Sequence, residues 1–221
     1  MSVGGIFITF EGIEGSGKST QAKLLYHHLK RKNLDCLLTR EPGGTRVSEK
    51  IRRIILDSGN VTMLPKTELF LYLASRTQHV EEVIRPALAA NRIVISDRFS
   101  DATLAYQGAG RELPLKVVKQ LNELACGSLT PDLTFLLDLS VKEGLSRVRR
   151  ADRIEREEEA FHDRVRKEYL KIAQEEGERV MVLDGRRGKE EIHIEIVKIV
   201  DSYIKADDAK TQNSRHRILS S

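Results

Sequence analysis

The run Gly12-Ile13-Glu14-Gly15-Ser16-Gly17-Lys18-Ser19 constrains this chain more than any other stretch. It fits the pattern of Gly, four residues, then Gly-Lys-Ser/Thr. The apolar run Ile6-Phe7-Ile8-Thr9-Phe10 precedes it and reads as a short buried strand. A polar, amphipathic stretch from Ser19 to about Lys32 follows and reads as a helix. Glycines let the backbone curl so that several N–H groups converge on one anion, and the helix N-terminus adds partial positive charge. In that frame Lys18 reaches the β- and γ-phosphates of a nucleoside triphosphate, and the Ser19 hydroxyl holds Mg²⁺. The loop from Gly12 to Ser19, with Thr20 after it, is the expected triphosphate site. A chance glycine-rich turn is a poor rival, because both flanking elements match as well as the loop. The motif says that a triphosphate binds; it does not say what is done with it.

At 221 residues the chain suits one domain, or one domain with a small mobile insert. A net charge of +4 from 37 basic and 33 acidic residues does not argue for a nucleic-acid partner. The arginine-rich stretch near 147–156 is the one strong local candidate for a basic patch. Cys36 and Cys126 fit no metal or redox spacing and are expected as buried thiols in a reducing compartment. No apolar run approaches the roughly 18 residues of a membrane span, and no signal peptide opens the chain. A soluble, cytoplasmic protein with no membrane partner is expected. The histidines form no ligand spacing and read as surface or packing residues.

Strand-like apolar runs recur at 6–10, 36–39, 92–96, 133–138 and 180–184. Helical stretches separate them, near 19–32, 46–57, 66–90, 113–126, 141–150, 157–176 and 189–205. Such alternation predicts an α/β chain with a parallel sheet covered on both faces. Ligands of these sheets bind outside the carboxyl ends of the strands, so residues just after each strand are the informative ones. From 206 to 221 the sequence is polar and aperiodic and is expected as a flexible tail.

After the second strand, Thr39-Arg40-Glu41-Pro42-Gly43-Gly44-Thr45 makes a sharp turn, and its place at a strand's carboxyl end favours a substrate loop. Arg52 and Arg53 follow on a helix; either one points into the cleft or both are solvated. Tyr72 and Arg76, four apart, share a helical face. That pair suits stacking on a base and gripping a phosphate, but core packing with a surface arginine is the better bet on composition alone. Arg85-Pro86 is expected to kink the helix. Past the third strand, Asp97 could organise the Mg²⁺ water shell and Arg98 bind an acceptor phosphate, the rival being a structural Asp–Arg pair. Thr103, Tyr106 and Gln107 offer a hydroxyl, a phenol and an amide for reading a sugar and a base edge. Asp138, ending the fourth strand, reads as a structural turn residue. Arg147, Arg149, Arg150, Arg153 and Arg156, interleaved with acids, form either a solvated helix face or a mobile lid whose arginines stabilise transferring negative charge.

Taken in order, several motifs resemble the thymidylate kinase family: the P-loop with Glu14 inside it, Arg-Glu-Pro-Gly-Gly-Thr at 40–45, Ala74-Ser75-Arg76, Asp-Arg-Phe at 97–99 and Ala-Tyr-Gln-Gly at 105–108. The resemblance runs from about Ile6 to Ile204. It implies a P-loop NTPase fold with a five-stranded parallel sheet flanked by helices, one kinase domain over 1–205, a small lid at about 147–160, and a homodimer. It also implies direct in-line transfer of the ATP γ-phosphate to dTMP with Mg²⁺, giving dTDP on the way to dTTP. Lys18, Asp97, Arg98 and Arg153 would then be catalytic, and Ser19 and Asp97 would hold the metal. Glu14 would face the acceptor's 3′-hydroxyl. Tyr72 would stack on thymine and Arg76 hydrogen-bond its edge. Arg98 would hold the dTMP phosphate, with Thr103, Tyr106 and Gln107 around the sugar and base. Arg147 would pack on adenine. None of Ile13, Glu14, Gly15 and Ser16 is basic, so the chain resembles the bacterial-type arrangement, with Arg153 first and Arg149 second as the lid arginine. Phe99 replaces the usual Tyr or His, and Ala102 replaces a common Ser. Related kinases for other acceptors, and a regulatory switch, are the competing readings; an Asn-Lys-x-Asp guanine motif is absent from the sequence.

Overall fold

A computed structural model of the protein describes residues 5–148 and 152–219, with side chains described as far as Asp207. Five strands form one parallel sheet: β1 (Phe7–Glu11), β2 (Cys36–Arg40), β3 (Ile93–Asp97), β4 (Leu133–Asp138) and β5 (Val180–Asp184). Their order is β2-β3-β1-β4-β5. Each of the sequence-predicted strands lies within one residue of its observed position. The inner strands β1 and β4 are nearly continuous apolar runs and are buried along their length, as a sheet covered on both faces requires.

The helices are α1 (Lys18–Arg31), α2 (Arg46–Leu56), α3 (Pro65–His79), α4 (Arg85–Ala89), α5 (Ser100–Thr103), α6 (Leu115–Cys126), α7 (Val141–Ser146), α8 (Glu159–Glu175) and α9 (Lys189–Leu219). On one face of the sheet, Leu25 and Leu29 of α1 and Ile196 and Val200 of α9 pack against Phe10, Ile95 and Phe135. Across the sheet, Val165 and Tyr169 of α8 pack with Ile13, Leu136 and Tyr106. Val80 and Ile84 pack with Phe7, Val94 and Phe99.

Two widened π-helical turns shape what the sheet presents. The first, Val80–Ile84, joins α3 to α4. It adjoins Arg85-Pro86, where a kink was expected: Pro86 has no N–H for the carbonyl of Glu82 one turn back, and the looser register takes up that loss. The second, Leu104–Gly110, follows α5 and carries Tyr106 and Gln107. At the other end of the chain, the backbone of α9 continues through the stretch expected as a tail, as far as Leu219.

Phe135 lies in the middle of the sheet with no exposed surface. Phe135→Ala is expected to destabilise the protein by about 3–5 kcal/mol, the scale of emptying a buried aromatic site. Urea unfolding followed by circular dichroism measures this, and a loss below about 1 kcal/mol would contradict a close-packed core there.

Candidate active site

The loop after β1 can curl because its glycines adopt a backbone that side chains resist: φ is 136° at Gly12, 71° at Gly15 and 98° at Gly17. At Gly15 a Cβ would also overlap the carbonyl oxygen of Gly144 on α7, so loop and helix touch backbone to backbone. Lys18 is buried and its Nζ donates to the Ile13 carbonyl at 2.5 Å, across the mouth of the loop. Burial pushes its ammonium down to about 8, Arg98 pushes the same way, and Glu14, Asp97 and Glu11 pull back. Beside it the Ser19 hydroxyl donates to the Asp97 carboxylate. Sheet register explains the meeting: Phe10 of β1 sits opposite Asp97 of β3.

Arg98 stands where β3 leaves the sheet, with φ at 73°. Its backbone N–H donates to the Phe10 carbonyl at 3.0 Å. Its guanidinium donates to the Gly12 carbonyl (3.0 Å), Glu14 Oε1 (2.8 Å), Tyr106 Oη (3.0 Å) and Tyr169 Oη (3.1 Å). The Tyr106 hydroxyl in turn donates to Glu14 at 2.7 Å. Burial alone would raise the Glu14 pKa, but Arg98, His162 and Lys18 outweigh it and hold the carboxyl well below the usual range. Glu11 lies beneath this group, accepting from the Phe99 N–H and the Tyr169 hydroxyl, each at 2.7 Å. Burial, helped by the nearby Asp101 charge, raises its pKa to about 7.

A cleft opens on the loop. Glu14, Gly15, Lys18, Ser19, Asp97 and Arg98 form one side of its lining. Tyr72, Ala102, Tyr106 and Gln107 form another wall, and Asp152, Ile154 and Glu155 a third. Arg40, Glu41 and Pro42 also line it, in keeping with a substrate loop. That loop is sharply turned: the Glu41–Pro42 peptide is cis, and Gly43 and Gly44 have positive φ. A Cβ on Gly44 would collide with the His79 ring. Thr45 then caps α2 by accepting from the Ser48 N–H at 3.0 Å. Of the two arginines on α2, Arg52 lines the cleft and Arg53 is exposed.

Not every expected site residue faces the cleft. Arg76 is 1% exposed and spends its donors inside the protein, on Glu41, Thr103, Asn122 and the Phe99 carbonyl. Thr103, buried with it, accepts one of those bonds. Arg153 is turned away from the phosphate loop: it donates to the Ile55 carbonyl at 2.8 Å and to Glu68 at 2.6 Å. Arg149 lies outside the described residues. Arg147 sits on the outer side of the loop, near the carbonyls of Gly15 (3.4 Å) and Gly185 (3.3 Å). Thr20 is exposed at the start of α1. Asp138 is bound by Arg166 through two hydrogen bonds, the structural role expected of it. Sequence reasoning passed over Glu11, Glu68 and Tyr169, and read His162 only as a surface or packing residue. Each is an ordinary residue on a strand or helix, and only its burial among charged neighbours marks it out.

The chain is similar to known proteins. Residues 10–196 match a family model described as Thymidylate kinase. A thymidylate kinase of Halothermothrix orenii is 50% identical over 198 residues, covering 87% of this chain and 94% of the relative. That of Pelobacter propionicus is 52% identical over 202 residues, covering 87% and 92%. A crystal structure of thymidylate kinase from Ehrlichia chaffeensis superposes with a TM-score of 0.74 at 35% identity, covering 90% of this chain and 99% of that one.

The buried Glu11 generates a pH prediction. Its folded pKa, about 7, lies above the ordinary carboxyl value of 4.5, so the folded state holds its proton more tightly. Its share of stability is present below 4.5 and is lost as pH rises through 7. Glu11→Gln should flatten that fall. Urea unfolding at pH 5 and pH 7.5 measures it, and an unchanged pH slope in the variant would contradict the assignment.

Proposed function

This chain belongs to the thymidylate kinase family and phosphorylates dTMP to dTDP with ATP, and we propose that it does so by direct in-line transfer between two bound nucleotides. The observation that carries the reading is Arg98, whose one guanidinium touches both the phosphate loop, at Gly12 and Glu14, and the opposite wall, at Tyr106. Two anions held on either side of it would have their reacting atoms close together. Positioning and charge neutralisation then supply the catalysis, since the acceptor phosphate is already an anionic nucleophile.

In this reading the backbone N–H groups of the Gly12–Ser19 loop and the Lys18 ammonium hold the donor phosphates. Arg98 holds the acceptor phosphate and Glu14 meets the acceptor's 3′-hydroxyl. Tyr72 offers its ring to the thymine, with Tyr106 and Gln107 beside the sugar and base. Arg147 packs on the donor's adenine, supported by its place between the Gly15 and Gly185 carbonyls. Arg76 and Thr103 act from behind the wall, Arg76 tying the 41–45 loop to Phe99 through Glu41.

The metal that the family implies fits the residues present. The Ser19 hydroxyl and the Asp97 carboxylate already meet, and a small hard cation asks for few protein oxygens besides phosphate and water. Ser19 and Asp97 would hold Mg²⁺, which when bound neutralises charge on the donor phosphates.

The same reading makes the enzyme a homodimer. Phe70 on α3 and Val117 and Leu124 on α6 are exposed apolar side chains on neighbouring helices, and a second copy would cover them. Its expected partners are otherwise only nucleotides. A cytoplasmic location is supported by two buried free thiols, Cys36 and Cys126. Among the described residues no helix is long and apolar enough to cross a membrane.

A coupled ADP-release assay offering dTMP, dUMP and thymidine in parallel tests the acceptor. Strong turnover with dTMP, weaker with dUMP and none with thymidine is expected; equal use of thymidine would rule out an acceptor phosphate gripped by Arg98. Lys18→Ala should lower turnover by on the order of 10²-fold or more. Leu124→Glu should give a monomer by sedimentation velocity, and an unchanged mass would move the interface elsewhere.

A further inference from the structure

Glu68 lies in the first turn of α3 and has no exposed surface. A carboxylate so buried needs partners, and it has them on every side. The Gln107 amide donates to Oε1 at 2.8 Å. Arg111 donates to both oxygens, its Nη2 at 2.9 Å from Oε2. Arg153 Nη2 reaches Oε2 at 2.6 Å. Burial pushes its pKa up, but these donors more than offset it and hold the carboxyl below the usual range.

These partners connect it to two walls of the cleft. Gln107 lines it from the second π turn. Arg153 sits between Asp152 and Ile154, which both line it, and also donates to the Ile55 carbonyl at the end of α2. Arg111 lies over the Phe161 ring at 4.7 Å and pairs with Glu157 at 2.6 Å, so it ties the same 152–158 segment a second time. Glu68 itself is not part of the cleft lining. Its place is one layer behind, where the Gln107 wall and the 152–158 segment meet.

We propose that Glu68 is a positioning residue which, through Arg153 and Arg111, holds the 152–158 segment and the Gln107 amide as the acceptor wall of the cleft. Arg153 therefore serves acceptor binding and not charge on the transferring phosphate. The inference rests on the reading of this cleft as the acceptor side of the kinase.

Glu68→Gln, Arg153→Ala and the double variant test it, with dTMP and ATP varied separately. Each single variant should raise KM for dTMP by about tenfold, the scale of losing one charged hydrogen bond, and leave KM for ATP within about twofold. The double variant should be no worse than the worse single one, because both break the same link. Arg153→Lys, which keeps the charge, should recover part of the loss. A merely structural role would lower thermal stability and the active fraction without this split between the two substrates. Arg153→Ala that cuts kcat about 100-fold at unchanged KM would return it to the transferring phosphate and overturn the proposal. Additive effects, or an unchanged KM for dTMP, would overturn it as well. If Glu68→Gln fails to fold, Arg153→Ala and Arg153→Lys decide by the same criteria. A wild-type enzyme that does not use dTMP would instead remove the functional reading beneath it.

Discussion

The parallel pairing of β1 with β3 is the constraint on which the rest depends. Their register sets Phe10 opposite Asp97, so the two strands deliver their next residues to one spot. From β1 comes the glycine loop with Lys18 and Ser19; from β3 come Asp97 and Arg98. The Ser19–Asp97 hydrogen bond and the Arg98 contact with the Gly12 carbonyl follow from that placement. A slip of one residue would turn every alternate side chain to the wrong face and separate them. The apolar core around Phe10, Ile95 and Phe135 packs against one face of both strands.

Around this junction the protein concentrates buried charge. Arg98 is held by Glu14, Tyr106 and Tyr169, while Glu11 braces Tyr169 and the Phe99 backbone beneath it. A second buried arginine, Arg76, ties α3 to Glu41 and to the turn after β3. A third, Arg153, joins α2 and α3 to the 152–158 segment. Single breaks in such pairs leave an uncompensated charge, so the walls of the cleft resist small displacements. Phosphoryl transfer asks for that stiffness, since its catalysis is placement more than bond chemistry.

Local patterns in the sequence carried the fold well. The strands showed as apolar runs, and the phosphate loop was readable because strand, glycines, lysine and helix are contiguous in the chain. Asp97 and Arg98 were singled out by the rule that ligands gather at the carboxyl ends of parallel strands, and both line the cleft. Tyr72, Tyr106 and Gln107 were likewise expected at the cleft and line it. Arginine orientation was where local reasoning ran out. Whether Arg76 faces a ligand or the core depends on Glu41, 35 residues away in sequence, and for Arg153 it depends on Glu68, 85 residues away. No spacing announces such pairs. Glu11 is equally silent, since the last residue of a strand gives no sign that a tyrosine from α8 will come to rest on it.

In the proposed mechanism one phosphoryl group passes directly between two nucleotides held on either side of Arg98. The measurement that tests it most directly uses ATP made chiral at the γ-phosphorus with sulfur and oxygen isotopes, followed by analysis of the thiophosphoryl product. A single in-line transfer inverts the configuration at phosphorus, and inversion is the result expected. Retention would mean two successive transfers through a phosphorylated side chain, and would contradict the account.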